Sequence, residues 1–423
     1  MSAPATIAKQ VSWSQLAEIV GKECLRPATP ADAVDSVQPQ MVAEAGSAED
    51  LAKALRWAQD AGLKVSPRGS GTKLGWGNPP TACDLVLSTA RLNKVIEHAW
   101  ADMTVIVQAG CRVAELQKTL AEHGQRLALD PLWPDGSTIG GILSTNDSGT
   151  LRPRYGSLRD LIIGIAVVLP DGTIAKSGGK VVKNVAGYDL QKLFTGALGT
   201  LGVIVQAIFR LHPLPRESRN LTFSSTPETL NELMNNVRGS KLTFTGLQWR
   251  VESARAGMDI RFDGTSVGIQ AQVDQLQKIA GSLIATDVPA DIWSSHQAIW
   301  EGAASALVAK FSVLPTQLAT LCSIVERSSA AESIKWNLVG QGVGAGYVRL
   351  DADEQKLRGA FLRLRDEIIK IGGSLVALGC PLSVKQGIDV WGPTPDSHPI
   401  MVRIKQRFDP QGTLNPGRFL GGI

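Results

Sequence analysis

Pro67-Arg-Gly-Ser-Gly-Thr-Lys73 and, further on, Pro134-Asp-Gly-Ser-Thr-Ile-Gly-Gly141 are the stretches on which the reading of this chain turns. The first follows a short strand-like run, Leu63-Lys-Val-Ser-Pro67. Its successive glycines let backbone N–H groups converge on one point and form an anion nest, to which Ser70 and Thr72 add hydroxyl donors. A diphosphate suits such a loop. The loop is neither of two familiar phosphate motifs: no GxxxxGK[ST] occurs in the chain, and Leu74 stands where a dinucleotide fingerprint after Gly69-Ser-Gly71 needs its third glycine. Alone, the loop reads equally well as a plain glycine-rich turn. The second stretch has more small residues and side-chain donors, with Asn146 and Gly149 close behind. A third is Arg154-Tyr-Gly156, followed by Ser157-Leu-Arg-Asp160. A fourth is Lys183-Asn-Val-Ala-Gly-Tyr-Asp189, leading to Gly196-Ala-Leu-Gly-Thr-Leu-Gly202. Four glycine-dense loops separated by short strands exceed what turns alone require.

Around these loops the pattern alternates. Ser47-Ala-Glu-Asp50 is a capping box, and Leu51, Ala54, Leu55 and Ala58 follow at helical spacing up to a stop at Gly62. Residues 84–88 and 103–109 are apolar and β-branched, and read as strands. Leu116 and Leu120 place a short helix in 111–123, residues 134–160 read as loop-rich, and 161–169 as a buried strand. Pro170-Asp-Gly172 turns a hairpin into 173–176, and a strand over 203–211 ends at His212-Pro-Leu-Pro215, a domain exit. From Arg216 the texture changes. Strand-like pieces (242–251, 267–273) alternate with helix-like ones (227–238, 272–283, 353–371), which predicts an α+β domain with an antiparallel sheet. The end, 399–423, reads as a tail with defined turns at Phe408-Asp-Pro-Gln-Gly412 and Leu414-Asn-Pro-Gly417.

Whole-chain properties remove several function classes. In 423 residues, 43 Lys and Arg face 39 Asp and Glu, a net charge of +4 with no basic run interleaved with aromatics, which argues against nucleic acid. The five cysteines, Cys24, Cys83, Cys111, Cys322 and Cys380, are scattered without a CxxC pair, so neither a disulfide framework nor an iron–sulfur site is expected. Met1 to Gln10 shows no signal-peptide pattern. The longest apolar run, 161–169, falls far short of the ~20 residues of a spanning helix. A cytoplasmic protein is expected, with peripheral association at the inner membrane through partners left open.

The order PRGSGT, VQAGC, STIGG, RYGSLRDLIIG, LPDG, KNVAGYDL, GTLGV and a closing FDPQGTLNPGRF resembles the vanillyl-alcohol-oxidase family of flavoproteins, with its PCMH-type FAD-binding domain. KNVAGYDL and GALGTLGV are similar to its D-lactate and glycolate dehydrogenase branch. The match covers roughly residues 40–215 and 396–423. It implies an α+β chain: a two-subdomain FAD-binding domain over 1–215, a cap over 216–395 and a C-terminal segment over 396–423 returning to the FAD domain. It also implies roles. Pro67, Arg68, Gly69, Ser70, Gly71, Thr72 and Lys73 would wrap the FAD pyrophosphate. Ser137, Thr138, Ile139, Gly140 and Gly141, with Asn146 and Gly149, would hold pyrophosphate, ribitol and part of the isoalloxazine; Pro134 and Ser144 join the same set. Tyr155 and Gly156 would lie nearby, and Gly199, Gly202 and Ile204 would approach through the backbone. The flavin carries the redox chemistry, and the protein supplies binding, orientation and electrostatics.

Two departures refine this. Many relatives link FAD covalently to a histidine in the first loop, which here reads Ser70-Gly-Thr-Lys73, so FAD is expected to be non-covalent. Catalytic members of the branch also carry a C-terminal His-x-Gly-Asp-Gly-Asn-x-His-like motif with metal ligands and a base. Here the only histidines after residue 215 are His296 and His398, and no metal is expected. The resemblance therefore narrows to the FAD-binding, second flavin subunits of bacterial glycolate dehydrogenases, whose partners are a catalytic flavin subunit and an iron–sulfur subunit. A stand-alone oxidoreductase of another small hydroxy acid and a non-redox scaffold subunit stay open as alternatives. Catalytic residues are not assigned. Gln341-Gly-Val-Gly-Ala-Gly346 reads as a strand turn that could border the flavin, and Trp249, Arg250 and Arg261 as candidates to face an acid, although alternation sends Trp249 and Arg250 to opposite faces.

Overall fold

The helix Ala48–Asp60 forms where its capping box places it: Ser47 Oγ accepts the Asp50 N–H at 3.0 Å, and Leu51, Ala54, Leu55 and Ala58 turn inward. This is taken from a computed structural model that describes residues 12–180, 187–252, 255–330 and 332–423. The helix is the crossover of a small sheet of β1 (Leu25–Pro27), β2 (Met41–Glu44), β3 (Val65–Arg68) and β4 (Leu85–Ser88), in the order β1-β2-β4-β3. Strands β2 and β3 both run parallel to the fully buried β4, a pairing that needs such a crossover. Strand β3 runs straight into the first glycine loop.

A second sheet is antiparallel. It starts with β5 (Val95–Ala99) and β6 (Thr104–Gln108); the short β7 (Gln125–Arg126) lies outside it. Then β8 (Ile162–Val168), β9 (Ile174–Gly178) and β10 (Val203–Arg210) complete the order β5-β6-β10-β8-β9, while β11 (His212–Pro213) pairs with β7. The helices Val113–Ala121 and Ile139–Thr145 pack Leu116, Leu120, Ile139, Ile142 and Leu143 against it. Residues 134–160 are thus less loop-like than expected. They contain the helix Ile139–Thr145 and two short turns of helix, Arg152–Tyr155 and Leu158–Leu161, each too brief for apolar periodicity to betray.

The third sheet has eight antiparallel strands: β12 (Glu217–Ser225), β13 (Gly246–Glu252), β14 (Arg255–Gly264), β15 (Thr286–Asp287), β16 (Leu307–Ser312), β17 (Lys335–Gln341), β18 (Ala345–Asp351) and β19 (Ser374–Gly379). Their order is β15-β12-β14-β13-β17-β18-β16-β19. The helices Pro227–Gly239, Ser266–Ala280, Leu318–Ala330 and Glu354–Lys370 supply the rest of a core around Trp249, Phe223, Phe262, Phe311 and Phe361. Trp249 points into this core, and Arg250 on the other face pairs with Asp259. The strand expected over 267–273 is instead the first half of the helix Ser266–Ala280, capped by Thr265. Val267 is 83% exposed, while Ile269 and Leu276, seven residues apart, are buried. The alternation that suggested a strand was a short-window coincidence.

The tail holds a helix, His398–Phe408, and then returns. Val65 donates to Thr413 O at 2.8 Å and Asn415 donates back to Val65 O at 3.0 Å, so Leu414 adds a parallel bridge beside β3, the edge strand of the first sheet. The mixed architecture agrees with the α+β expectation. Among the described residues, no helix is long and apolar enough to cross a membrane.

Candidate cofactor-binding site

Where β3 ends, the first glycine loop meets the start of the helix Ile139–Thr145 and the turn entering β10. Between them lies a cleft of about 690 Å³, its open mouth included. Pro67, Arg68, Gly69, Ser70, Gly71, Thr72 and Lys73 line it, with Thr138, Gly140, Gly141, Ser144, Gly199, Gly202 and Ile204. The glycines permit two things here. A Cβ at Gly69 would sit 2.2 Å from Thr138 Oγ1 and one at Gly140 2.9 Å from Ala109 Cβ, so these two allow close packing of loop on helix and helix on sheet. Gly71 and Gly199 have φ of +86° and +66°, the left-handed region that favours glycine. The result is an array of unspent donors. Among the described residues, none of the five backbone N–H groups from Gly69 to Lys73 has an acceptor in the protein. Consecutive free amides around one concavity are an anion site.

The charges nearby are mostly committed. Arg68 donates to Asp32 at 2.8 Å, and Asp32 also holds Arg26 at 2.7 Å. The Arg26 guanidinium, helped by the Thr29 amide and by Arg68, keeps the Asp32 carboxyl well below the usual carboxylate range. Lys73 lines the cleft but sends its ammonium elsewhere, to Asp147 at 3.2 Å and Ser137 Oγ at 2.6 Å. Burial pushes its pKa down against the pull of Asp147. Arg418 differs. It is buried and lines the cleft and donates to Leu74 O and to Trp76 O; among the described residues its Nε has no partner and no carboxylate lies within 4.0 Å. Burial lowers its pKa to about 10, so it remains a cation at neutral pH. A nest of amides with one uncompensated guanidinium fits the diphosphate of FAD.

The remaining expected residues sit behind the wall. Pro134 accepts the Ala114 N–H at 3.1 Å, and Ser137 bridges Lys73 to Leu132 O at 2.9 Å. Ile139 is in the core; Asn146 ends its helix in a left-handed turn with Oδ1 unpartnered. Gly149 packs on Asp130, where a Cβ would lie 2.0 Å from the carbonyl oxygen. The Tyr155 hydroxyl accepts from Arg126 at 2.9 Å, and Gly156 closes that helical turn with a φ of +84°. In the fourth loop, 183–186 lie outside the described residues. Sequence reading missed Leu74, Thr89, Thr145, Leu198, Val203, Asn415 and Arg418 in the cleft wall. The NPGR of the tail was the available signal for the last two.

A second set of polar groups gathers where the eight-stranded sheet faces the first two. Lys310 on β16 lies directly opposite Tyr347 on β18. The Tyr347 ring packs with Trp76 and Leu132 from the N-terminal half, which fixes the direction of that face. Among the described residues, Lys310, Tyr347 and Arg152 have no side-chain hydrogen bond or ion pair. Burial lowers the Lys310 pKa; Asp147 opposes this and Arg152 adds to it. Burial raises that of Tyr347. Gln341 ties the same face to Ser148 O at 3.1 Å, and 341–346 is the tight turn from β17 to β18. Arg250 and Arg261 are occupied, by Asp259 at 2.6 Å and Asp263 at 2.7 Å. His296 Nδ1 is 2.8 Å from Trp293 O, and no group of three or more metal-ligating side chains occurs among the described residues.

Comparison with known proteins agrees with this geometry. Residues 39–178 match the family described as FAD binding domain. A glycolate oxidase subunit, GlcD, of Bacillus subtilis is 27% identical, over 90% of this chain and 88% of the relative. A D-lactate dehydrogenase of Archaeoglobus fulgidus is 26% identical, over 89% and 90%. A mitochondrial D-2-hydroxyglutarate dehydrogenase of Bos taurus is 37% identical over 42% of this chain and 33% of its own length. Among solved structures, an alkyldihydroxyacetonephosphate synthase superposes with a TM-score of 0.75 at 18% identity, covering 95% of this chain and 84% of the other.

Proposed function

We propose that this chain, an FAD-dependent oxidoreductase whose residues 39–178 are an FAD-binding domain, serves as the FAD-binding subunit of a 2-hydroxy-acid dehydrogenase that converts glycolate to glyoxylate. Residues 1–215 with 396–423 would hold the cofactor non-covalently and 216–395 would cap it. The observation that carries the reading is the run of unspent amides from Gly69 to Lys73 beside the unpaired Arg418. The amides would bind the FAD diphosphate, Arg418 would offset its charge, and Gly199 and Gly202 would let the backbone approach. When bound, FAD accepts the two electrons released as the hydroxyl-bearing carbon becomes a carbonyl. Partner subunits, among them a catalytic flavin subunit and an iron–sulfur subunit, would take those electrons onward.

A second reading rests on the seam. Among the described residues, Lys310 and Arg152 make no ion pair within 4.0 Å, and Tyr347, opposite Lys310, makes no side-chain hydrogen bond. Such a set binds a small carboxylate, and then the chain would oxidise a hydroxy acid by itself. Relatives named for D-lactate and D-2-hydroxyglutarate widen the range of acids.

One experiment separates these readings. The absorbance of the purified chain is recorded before and after anaerobic glycolate, and again after acid precipitation. A flavin spectrum that glycolate leaves unbleached, with FAD released to the supernatant, supports the subunit reading. Rapid bleaching, lost in Lys310→Met, establishes the second. A folded chain that takes up no FAD sinks both.

A further inference from the structure

The wall of the cofactor cleft contains a turn that its own sequence does not favour. Ala197-Leu-Gly-Thr200 is closed by the Thr200 N–H on Ala197 O at 3.0 Å, with Leu198 at a φ of +49° and Gly199 at +66°. A turn with positive φ at both central residues suits Asn-Gly, and a leucine there is sterically strained. Such a residue stays left-handed where its surroundings hold it. Leu198 and Gly199 both line the cleft, and among the described residues the Gly199 N–H has no acceptor in the protein.

The Leu198 N–H is tied to Ser144 O at 2.8 Å, and two further holds on the turn come from the far end of the chain. Asn415 Nδ2 donates to Leu198 O at 2.7 Å. Lys405, on the helix His398–Phe408, donates to Thr200 O at 2.8 Å, to Leu414 O at 2.9 Å and to Asp409 Oδ2 at 2.6 Å. The ammonium thus spends all of its donors. Lys405 and Asp409 are both buried. Asp409 also accepts the N–H groups of Thr413 at 2.9 Å and Leu414 at 2.8 Å, so the pair is anchored in the tail. The carbonyls of the residues on either side of Gly199 are therefore both held by the tail. Unlike Asn415, Lys405 does not line the cleft. The tail is already fastened to β3 by its two backbone bonds to Val65, and the bond to Thr200 O adds a hold on the turn instead.

We infer that Lys405 is a positioning residue for the cofactor: by holding Thr200 O it keeps the strained turn 197–200 formed, and with it the free Gly199 amide in the cleft wall. The inference rests on the FAD reading above.

The test titrates FAD into the FAD-free, full-length chain and follows quenching of flavin fluorescence, with a thermal melt of the FAD-free protein in parallel. Lys405→Met keeps an apolar stem and removes the ammonium. It should weaken FAD binding by about tenfold, the worth of one charge-assisted hydrogen bond. Leu198→Asn supplies the Asn-Gly pair that such a turn prefers, so in that background the same substitution should cost less than about threefold. A lysine that merely fastened the tail would lower the melting temperature and cost the same FAD affinity in both backgrounds. That result, or equal affinity in wild type and Lys405→Met, overturns the inference. Removing one member of a buried pair strands the other. Should Lys405→Met not fold, Lys405→Met/Asp409→Asn, which removes both charges, carries the same comparison. A wild-type chain that takes up no FAD sinks the functional reading and this inference together, whereas normal uptake by wild type with no loss in the variants sinks the inference alone.

Discussion

Gly69→Ala is the smallest change that tests how the cofactor cleft is built. The backbone at Gly69 is not left-handed, so an alanine is conformationally allowed and any cost is steric. The new Cβ would lie 2.2 Å from Thr138 Oγ1, 3.2 Å from its Cβ and 3.3 Å from its Cγ2. Thr138 cannot rotate away freely, because its hydroxyl accepts the Gly141 N–H and caps the helix Ile139–Thr145. Overpacking of this kind costs ~1–3 kcal/mol. Losing a threonine cap costs ~1 kcal/mol. If the loop swings off the helix to escape, the sum of ~2–4 kcal/mol falls on cofactor binding, a loss of FAD affinity of ~30- to 1000-fold. The assay is titration of FAD-free protein by quenching of flavin fluorescence, with a thermal melt in parallel. Thr138→Ala removes two of the three clashing atoms. Gly69→Ala should therefore be much milder in that background, with a coupling of ~1 kcal/mol or more between the two sites. Wild-type FAD affinity in Gly69→Ala, or strict additivity of the two substitutions, would refute the proposed loop-on-helix contact.

Three further outcomes follow from the same geometry. Gly71→Val forces a β-branched residue to a φ of +86°, a strain of ~1–3 kcal/mol; a folded chain by circular dichroism with no FAD absorbance is expected, and retained flavin would misplace the loop. Asp32 has a folded pKa below its unfolded value of ~3.9, so its stabilisation is complete above pH ~4 and is lost as the pH falls through the folded value. Asp32→Asn should lower the melting temperature at pH 7 and leave little difference from wild type at the lowest pH at which both fold; a constant difference across pH would contradict this. Burial raises Cys83, Cys111 and Cys380 to about 11 and Cys322 to about 12, so at pH 8 the first three should react with a thiol reagent ~100-fold and Cys322 ~1000-fold more slowly than in urea, and fast labelling of any of them in the folded chain would count against the packing.

The candidate cofactor cleft was legible in the sequence because close backbone approach and left-handed turns favour glycine whatever the rest of the chain does. Gly69 and Gly140 meet such a demand and Gly71 and Gly199 the related one of a left-handed backbone, and the loops they occupy follow strands whose apolar pattern is plain. Gly149 and Gly156 look identical in the sequence and stand outside the cleft wall, packed against Asp130 and Asp160. Composition cannot separate a glycine that admits a ligand from one that admits a neighbouring side chain. Lys73 closes the same loop and lines the cleft, and its ammonium pairs with Asp147, a partner far along the chain that the sequence alone does not reveal.

What escaped the sequence is what depends on distant segments meeting. Ser66 and Asn415 are hydrogen-bonded at 2.7 Å across a separation of 349 residues, and only that closure brings Arg418 to the cleft. Lys310 is the sharper case. It stands between Ala309 and Phe311, which are buried in the core on the helical side of β16, and its own face lies against other protein too. A lysine in a strand covered on both faces is rare unless something pairs it. That was the one sequence signal for the seam, and reading it required knowing that β16 is covered on both faces. The consequence is a polar seam in which, among the described residues, Lys310 and Arg152 make no ion pair within 4.0 Å, while Asp147, whose charge acts on Lys310, is itself bound to Lys73.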